Sequence, residues 1–198
     1  MRVEVLRLGH RPGRDPRLTT HLALVARAFG ASHLHVQPRD TDLEKSVEGV
    51  VRRFGGDFRV SGIERWRDLL RSWDGISLHL TMYGEDLDTV LPTLPRDRNV
   101  LLVVGGPKVP ADAYQLSTRN VAVTHQPHSE VAALALTLDR LLGTPRAERL
   151  PGARVQVLPC VRGKKVVNLP SPDHDADDDG SGGSGPPVAS RGRERAAD

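Results

Sequence analysis

The chain has 198 residues, with one cysteine, 28 Lys and Arg against 25 Asp and Glu, and a net charge of +3. A single cysteine excludes an intramolecular disulfide framework and a thiolate-rich zinc site, and it fits a reducing cytoplasm. The N-terminus lacks the apolar core of a signal peptide and no apolar run reaches membrane-spanning length, so we expect a cytoplasmic chain with no membrane contact.

Strand-like and helix-like stretches alternate along most of the chain. We predict strands at 3–8, 33–36, 58–63, 76–81, 99–106 and 121–123, with a further strand or extended arm at 155–159. We predict helices from 19 or 20 to 29 and at 42–54, 64–73, 86–94, 111–117 and 129–142. The alternation predicts an α/β fold, with a mostly parallel sheet and helices on both faces.

The end of the chain differs in composition. Residues 170–198 are dominated by Asp, Gly, Ser and Pro and have no apolar periodicity. Such a segment cannot bury enough apolar surface to offset the entropy of ordering it. We therefore expect one folded domain over 1–169, followed by a disordered, acidic and Gly/Ser-rich tail.

The segment 120–142, NVAVTHQPHSEVAALALTLDRLL, reads as a short strand, a polar turn and a helix. Ser129 stands where an N-cap hydroxyl is expected, and Glu130 follows in the first turn. A strand that passes through a polar turn into a buried helix is a common ligand site in α/β proteins. Apolar residues surround this helix, so we expect its outer side to meet either the rest of the domain or a second subunit.

Two other predicted strands end in glycine. VVGGPKVP (103–110) follows a buried strand, and LTMYG (80–84) ends another. The first motif matches neither GxGxxG nor GxxxxGK[ST], so an ordinary dinucleotide or nucleoside triphosphate site is unsupported. If these strands and the strand before 124–129 are neighbours, their ends form a pocket rich in backbone groups that suits an adenine.

Positive charge concentrates near the N-terminus, where five arginines and two histidines lie between residues 2 and 21. The cluster suits contacts with RNA phosphates, although a solvated loop is the alternative. The candidates for RNA binding are Arg7, His10, Arg11 and Arg14. His10 and His21 suit RNA contact or proton handling, with turn or cap roles as the alternative. The pairs His125/His128 and His33/His35 lack neighbouring cysteines or an HExxH context, so we expect no metal site.

Four separated motifs together resemble one family. They are LRLGHRPGRDPRLTTHLALVARAFGA (6–31), HLTMYG (79–84), VVGGPKVP (103–110) and NVAVTHQPHSEVAALAL (120–136). Over about residues 1–168 the chain resembles the archaeal tRNA (cytidine(56)-2′-O)-methyltransferases, which belong to the SPOUT class. The resemblance implies a SPOUT-type fold with a C-terminal trefoil knot, a homodimer, a tRNA substrate and S-adenosyl-L-methionine as cofactor.

The resemblance also implies functional residues. The implied cofactor-binding residues are Leu80, Gly105, Gly106, Pro107, Lys108, Val109, Val123, Thr124, His125, Gln126, Pro127, His128, Ser129 and Glu130. Many SPOUT ribose methyltransferases carry an Arg just before the small residues of the first helix, but that position here is Leu24. We place the catalytic arginine at Arg17 by equivalent location, with His21 as a candidate proton acceptor.

Two alternatives to the implied activity stay open. The same chemistry could act on another RNA position, or the chain could be a catalytically silent RNA-binding SPOUT protein. The intact GGPKV and QPHSE motifs argue against loss of the cofactor, whereas the displaced arginine leaves catalysis open. A nucleotide-dependent oxidoreductase is weakly supported because no phosphate-binding loop matches.

Overall fold

A six-stranded parallel sheet forms the centre of the computed structural model, which describes residues 1–14, 16–106, 108–143 and 149–170. The strands are β1 (Val3–Arg7), β2 (His33–Val36), β3 (Arg59–Gly62), β4 (Gly75–Asp86), β5 (Asn99–Val104), β6 (Arg119–Ala122), β7 (Val155–Leu158) and β8 (Lys165–Asn168). The helices are α1 (Pro16–Ala28), α2 (Thr41–Phe54), α3 (Trp66–Ser72), α4 (Leu87–Val90), α5 (Ala111–Leu116) and α6 (Glu130–Leu142), with a 3₁₀ turn at Leu91–Thr93.

The strand order is β3-β2-β1-β5-β4-β6, and every neighbouring pair in this sheet is parallel. The prediction of an α/β fold with a mostly parallel sheet is therefore confirmed. The chain first builds outward from β1 to β3 and then places β4, β5 and β6 on the other side of β1. A change of direction of this kind opens a crevice at the carboxyl ends of the strands, where α/β proteins bind ligands.

The two faces of the sheet are covered by different helices. Along β5, Leu102 packs in a cluster with residues of α1, α2 and α6, while Leu101 and Val103 pack with residues of α3 and α5. Successive side chains of a strand point to opposite faces, so this alternation is what a doubly covered sheet requires. The prediction of helices on both faces is confirmed.

Strand β4 is longer than predicted and contacts β6 twice. Leu78–Leu80 pair with Arg119–Val121, the register then shifts, and Glu85 and Asp86 pair with Val121 and Ala122. Gly84 lies in the irregular part, where a Cβ would collide with the backbone of Asn120 and Val121. The backbones can approach this closely because residue 84 has no side chain. The trefoil knot stays a prediction.

The predicted start of the first helix is wrong, and the predicted start of the last helix is right in position but not in its side-chain cap. Helix α1 begins at Pro16, before Thr19 and Thr20, and the Thr19 hydroxyl bonds to His10 Nδ1 at 2.8 Å instead of capping a helix. Ser129 does occupy the N-cap position of α6, but its hydroxyl makes no capping hydrogen bond. Its carbonyl accepts the N–H of Ala133 at 3.0 Å, so the backbone bond alone begins the helix.

The C-terminal part of the described chain is an antiparallel hairpin of β7 and β8. Strand β7 confirms the predicted strand at 155–159, while β8 was not predicted because Lys165–Asn168 carries no alternating pattern. The hairpin is anchored beside the end of α2, where Gly56 N–H donates to the Pro151 carbonyl at 2.8 Å. The predicted tail from residue 171 onward lies outside the described residues. Within the described ranges, no helix is long and apolar enough to cross a membrane.

Candidate active site

A cavity of about 350 Å³ opens at the carboxyl ends of β4 and β5, beside the turn that leads into α6. Its lining residues are His79, Leu80, Thr81, Met82, Tyr83, Val104, Gly105, Gly106, Val109, Tyr114, Pro127, His128, Glu130 and Ala133. The strands β5, β4 and β6 are neighbours in the sheet, so the predicted meeting of the three strand ends is confirmed.

Half of the residues proposed for cofactor binding line this cavity. They are Leu80, Gly105, Gly106, Val109, Pro127, His128 and Glu130. The others lie in the flanking turns: Lys108, Val123, Thr124, His125, Gln126 and Ser129 are not among the lining residues. Pro107 lies outside the described residues. These seven residues contribute apolar side chains, the backbone of two glycines, one imidazole and one carboxylate to the wall.

His125 holds the turn before α6 against the end of β4. Its Nδ1 lies 2.9 Å from the Met82 carbonyl and its Nε2 lies 3.0 Å from Asp86 Oδ1. The bond to the Met82 carbonyl, followed by the bond to Asp86, raises the pKa of His125. In this structure the residue positions the cavity wall without lining it.

The two glycines shape the floor of the cavity. At Gly105 a Cβ would collide with the side chain of Val109, so a larger residue there would require that side chain to move. At Gly106 a Cβ would lie 3.9 Å from Arg7 Nη2 and from Glu130 Oε1. The space above Gly106 is thus bordered by two opposite charges.

These charges belong to a buried ion pair that links β1 to α6. Arg7 Nη1 lies 2.8 Å from Glu130 Oε2, and the Arg7 side chain is 1% exposed. The angles of this contact are not those of a hydrogen bond. Arg7 Nη1 and Glu130 Oε2 therefore both lack a hydrogen-bond partner among the described residues. The prediction that Arg7 contacts RNA is corrected, because a guanidinium enclosed in the interior cannot reach a phosphate of bound RNA in this conformation.

His10 is also buried, which corrects its prediction as an RNA contact. Its side chain is fully enclosed, with Nε2 2.8 Å from Asp40 Oδ2 and Nδ1 2.8 Å from the Thr19 hydroxyl. The carboxylate can only accept, so Nε2–H donates to Asp40, while Nδ1 shares a hydrogen bond with the Thr19 hydroxyl. The hydrogen bond from His10 lowers the pKa of Asp40, and the hydrogen bond from the Leu43 backbone N–H lowers it further. His10 therefore ties the segment after β1 to the start of α2.

The remaining candidates of the N-terminal cluster face solvent. Arg11 and Arg14 lie in the turn after β1, while Arg17 and His21 are exposed one turn apart on α1. Helix α1 follows the carboxyl end of β1, which is the sheet edge that carries the cavity. Neither Arg17 nor His21 lines the cavity, so the structure leaves their catalytic roles as predictions.

Sequence reasoning missed a polar network under the cavity. The Asn120 amide donates to the Tyr114 carbonyl at 3.0 Å, which leaves its Oδ1 to accept from His79 Nδ1–H at 2.9 Å. Burial lowers the pKa of His79, so the ring is neutral and its Nε2, which finds no partner among the described residues, is an acceptor. The contacts tie β4, β6 and α5 together, and no local pattern signals them because His79 and Asn120 are 41 residues apart.

Comparison with known proteins adds sequence and structural relatives. The family described as tRNA ribose 2′-O-methyltransferase, aTrm56, matches residues 54–167. A protein named tRNA (cytidine(56)-2′-O)-methyltransferase from Archaeoglobus fulgidus is 49% identical over 168 residues, covering 85% of this chain and 99% of that protein. Its namesake from Pyrococcus abyssi is 45% identical over 189 residues, covering 92% and 96%.

Solved structures with much lower identity share the fold. The SpoU methyltransferase AviRb from Streptomyces viridochromogenes, in complex with AdoMet, has a TM-score of 0.51 at 14% identity, covering 71% of this chain and 56% of that one. An RNA 2′-O ribose methyltransferase has a TM-score of 0.53 at 16% identity, covering 71% and 55%. These likenesses show a SPOUT-type fold. Together with the family match and the identity to the archaeal relatives, they lead to one conclusion: the chain belongs to the aTrm56 family of tRNA ribose 2′-O-methyltransferases.

Proposed function

We propose that this chain transfers the methyl group of S-adenosylmethionine to the ribose 2′-oxygen of cytidine 56 in the T-loop of tRNA. Family membership carries this proposal, because relatives that match over nearly their whole length have that activity in their names. The cavity at the ends of β4 and β5 supplies a site for the cofactor.

The residues of the cavity fit S-adenosylmethionine. The volume of the cavity, about 350 Å³, falls within the range of small-molecule sites. Leu80, Val104 and Ala133 offer apolar surface for an adenine, while the backbone of Gly105 and Gly106 offers polar groups at close range. The Glu130 carboxylate, which borders the same space, suits the cationic end of the cofactor. The solved AviRb structure with AdoMet supports the use of this cofactor by the fold.

When bound, S-adenosylmethionine supplies an electrophilic methyl group on a sulfonium leaving group. The protein must then position the ribose oxygen in line with the methyl group and accept one proton. Arginine is a poor base because its guanidinium stays protonated in proteins. We assign Arg17 to stabilise the negative charge that develops on the 2′-oxygen and to hold an adjacent phosphate. His21, one helical turn away, takes the proton or passes it to water.

The substrate surface and the assembly are part of the same proposal. Exposed Arg11, Arg14 and Arg17 contact tRNA phosphates, so affinity should fall steeply with added salt. Leu136 and Leu142 of α6 are exposed, which supports a homodimer that covers them. We also propose the C-terminal trefoil knot of the SPOUT class and a cytoplasmic location, where tRNA is processed.

The test uses labelled S-adenosylmethionine and an unmodified archaeal tRNA transcript. We expect label to enter the transcript and to map to the ribose of cytidine 56. A matched transcript with 2′-deoxycytidine at position 56 alone should accept none, because the attacking oxygen is missing. Label at another nucleotide would favour the alternative RNA substrate, and tRNA binding without transfer would favour the silent RNA-binding protein.

A further inference from the structure

Three side chains with metal-binding atoms meet on the face of β1 and β2, away from the cavity. Glu4, His33 and His35 each offer one ligand atom, and these atoms all lie within 4.8 Å of one another. None of the three residues lines the cavity at the ends of β4 and β5. The local spacing around the histidine pairs predicts no metal site. Glu4 lies 29 residues before His33, so no pattern along the sequence connects the two.

The sheet itself brings these groups together. His33 and His35 are two residues apart on β2, so their side chains share one face of the sheet. Glu4 is the direct register partner of His33 on the parallel strand β1, and its side chain lies on the same face. Ligands held by paired strands need little ordering when an ion binds, because the backbone positions are already set.

The separations among these three side chains are close to those between ligands of a single metal ion. His35 Nε2–H donates to Glu4 Oε2 at 2.7 Å, and the rings of His33 and His35 are 4.0 Å apart between centroids. An ion that binds both His35 Nε2 and Glu4 takes the place of this hydrogen, and the neutral ring then carries its hydrogen on Nδ1. Nitrogen and oxygen ligands bound to zinc at about 2.0–2.2 Å are themselves about 3.4 Å apart, so side-chain rotations of modest size would admit the ion. Two imidazoles and a carboxylate are a donor set that zinc binds, whereas Mg²⁺ and Ca²⁺ prefer oxygen ligands.

An ion could reach the cluster and find further support there. His33 also lines a surface cavity beside β3, together with Ser61, whose hydroxyl lies 2.8 Å from His33 Nε2. The Glu4 side chain is 7% exposed, and its second oxygen lies 3.1 Å from Nε of Arg2, a side chain that is 59% exposed. Arg2 can therefore turn into solvent if an ion takes over the charge of Glu4.

We propose that Glu4, His33 and His35 form a binding site for a zinc-type divalent transition-metal ion that joins β1 to β2. Three protein ligands leave a fourth position for water or the Ser61 hydroxyl. The site is independent of methyl transfer, since it shares no residue with the cavity.

The test is a titration of the full chain, freed of any affinity tag and of metal, with ZnCl₂ by isothermal calorimetry. We expect one site, and we expect Glu4→Gln, His33→Gln and His35→Gln each to weaken binding by at least about 10-fold. Cys160→Ser is the matched control, because Cys160 is an exposed thiol outside the cluster and should leave the affinity unchanged.

A spectroscopic measurement guards against misfolded variants. In the folded wild type, Co²⁺ should give the visible absorption of a low-coordinate site, and Zn²⁺ should displace it. Circular dichroism must show that each variant keeps its secondary structure. Zinc affinity that is the same in wild type and all three folded variants, or no binding by the wild type at micromolar zinc, would overturn the proposal.

Discussion

Arg7 Nη1 lies 2.8 Å from Glu130 Oε2, and this ion pair joins the last residue of β1 to the first residue of α6. Glu130 lines the cavity while Arg7 is enclosed behind it. A charge inside a protein is costly without its partner, so the pair holds two elements of the cavity wall in a fixed relation.

We expect Glu130→Gln to lower the free energy of unfolding by about 2–4 kcal/mol, because the Arg7 charge then loses its carboxylate. The double variant Arg7→Met/Glu130→Gln should lose less unfolding free energy than Arg7→Met and Glu130→Gln lose in sum, since no buried charge remains in it. Denaturant unfolding measures all three. Glu48→Gln is the control, because its pair with Arg52 is exposed on α2 and should cost less than about 0.5 kcal/mol. Strict additivity of the two single effects would contradict a coupled pair.

The close crossing of β4 and β6 gives a second prediction. Gly84→Ala places a Cβ against the backbone of Asn120 and Val121, and we expect a loss of at least about 2 kcal/mol in unfolding free energy. Gly49→Ala in α2 meets open space and should stabilise the protein by up to about 1 kcal/mol, because alanine favours a helix. Thermal unfolding of both variants compares them directly. Equal effects would show that the crossing tolerates a side chain.

A third prediction concerns Arg17 and His21. If Arg17 stabilises charge on the ribose oxygen, Arg17→Ala should lower kcat by about 10²–10³-fold. His21→Asn should lower kcat by about 10²-fold if the ring takes the proton. Steady-state methylation at saturating tRNA gives kcat, and single-turnover methylation under the same conditions separates methyl transfer from RNA binding and product release. Arg71→Ala removes an exposed arginine of α3 and serves as the control. Normal single-turnover rates with weakened tRNA binding would make both residues RNA contacts only.

His125 gives a prediction about pH. Its two nitrogens face two acceptors, which only the protonated ring can satisfy, and the pKa of His125 is raised, first by the Met82 carbonyl and then by Asp86. The stability that this ring contributes is therefore present below the unfolded pKa and lost as pH rises through the raised folded-state pKa. NMR titration should give a pKa above 6.5, which Asp86→Asn lowers. Asp88→Asn changes an exposed carboxylate within α4 and should leave the pKa of His125 unchanged. A pKa of 6.5 or lower in the wild type would contradict the bridge.

The sequence was sufficient for the alternation of strands and helices through α6, and it pointed to the strand ends that border the cavity, while β8 was missed. Apolar runs such as 99–106 identify central strands, and the glycines at 105 and 106 mark the end of one of them. The neighbours of β4 are a different matter, because the sequence only allows β4 to lie beside β5 and β6, and it is the structure that places it there. The type of each element and the glycines at its end depend on residues that are close in the chain, which is why patterns along the sequence report them.

Contacts between distant residues could not be predicted in this way. The buried state of Arg7 and His10 depends on Glu130 and Asp40, which lie on other elements, so the charge cluster alone indicates a solvent-facing surface. The network of His79, Asn120 and Tyr114 is also set by the pairing of β4 with β6. Side-chain charge predicts what a residue can bind, while the tertiary fold decides whether it is exposed.

The strand order has a consequence for synthesis on the ribosome. In the described sheet, β4 pairs only with β5 and β6, although β1, β2 and β3 can pair with one another as soon as they emerge. A nascent chain that stops before Asn99 therefore exposes the long strand β4 with both edges open. The strands that cover these edges arrive only with β5 and β6, so an unpaired β4 is a place where nascent chains can associate until the second half of the protein emerges.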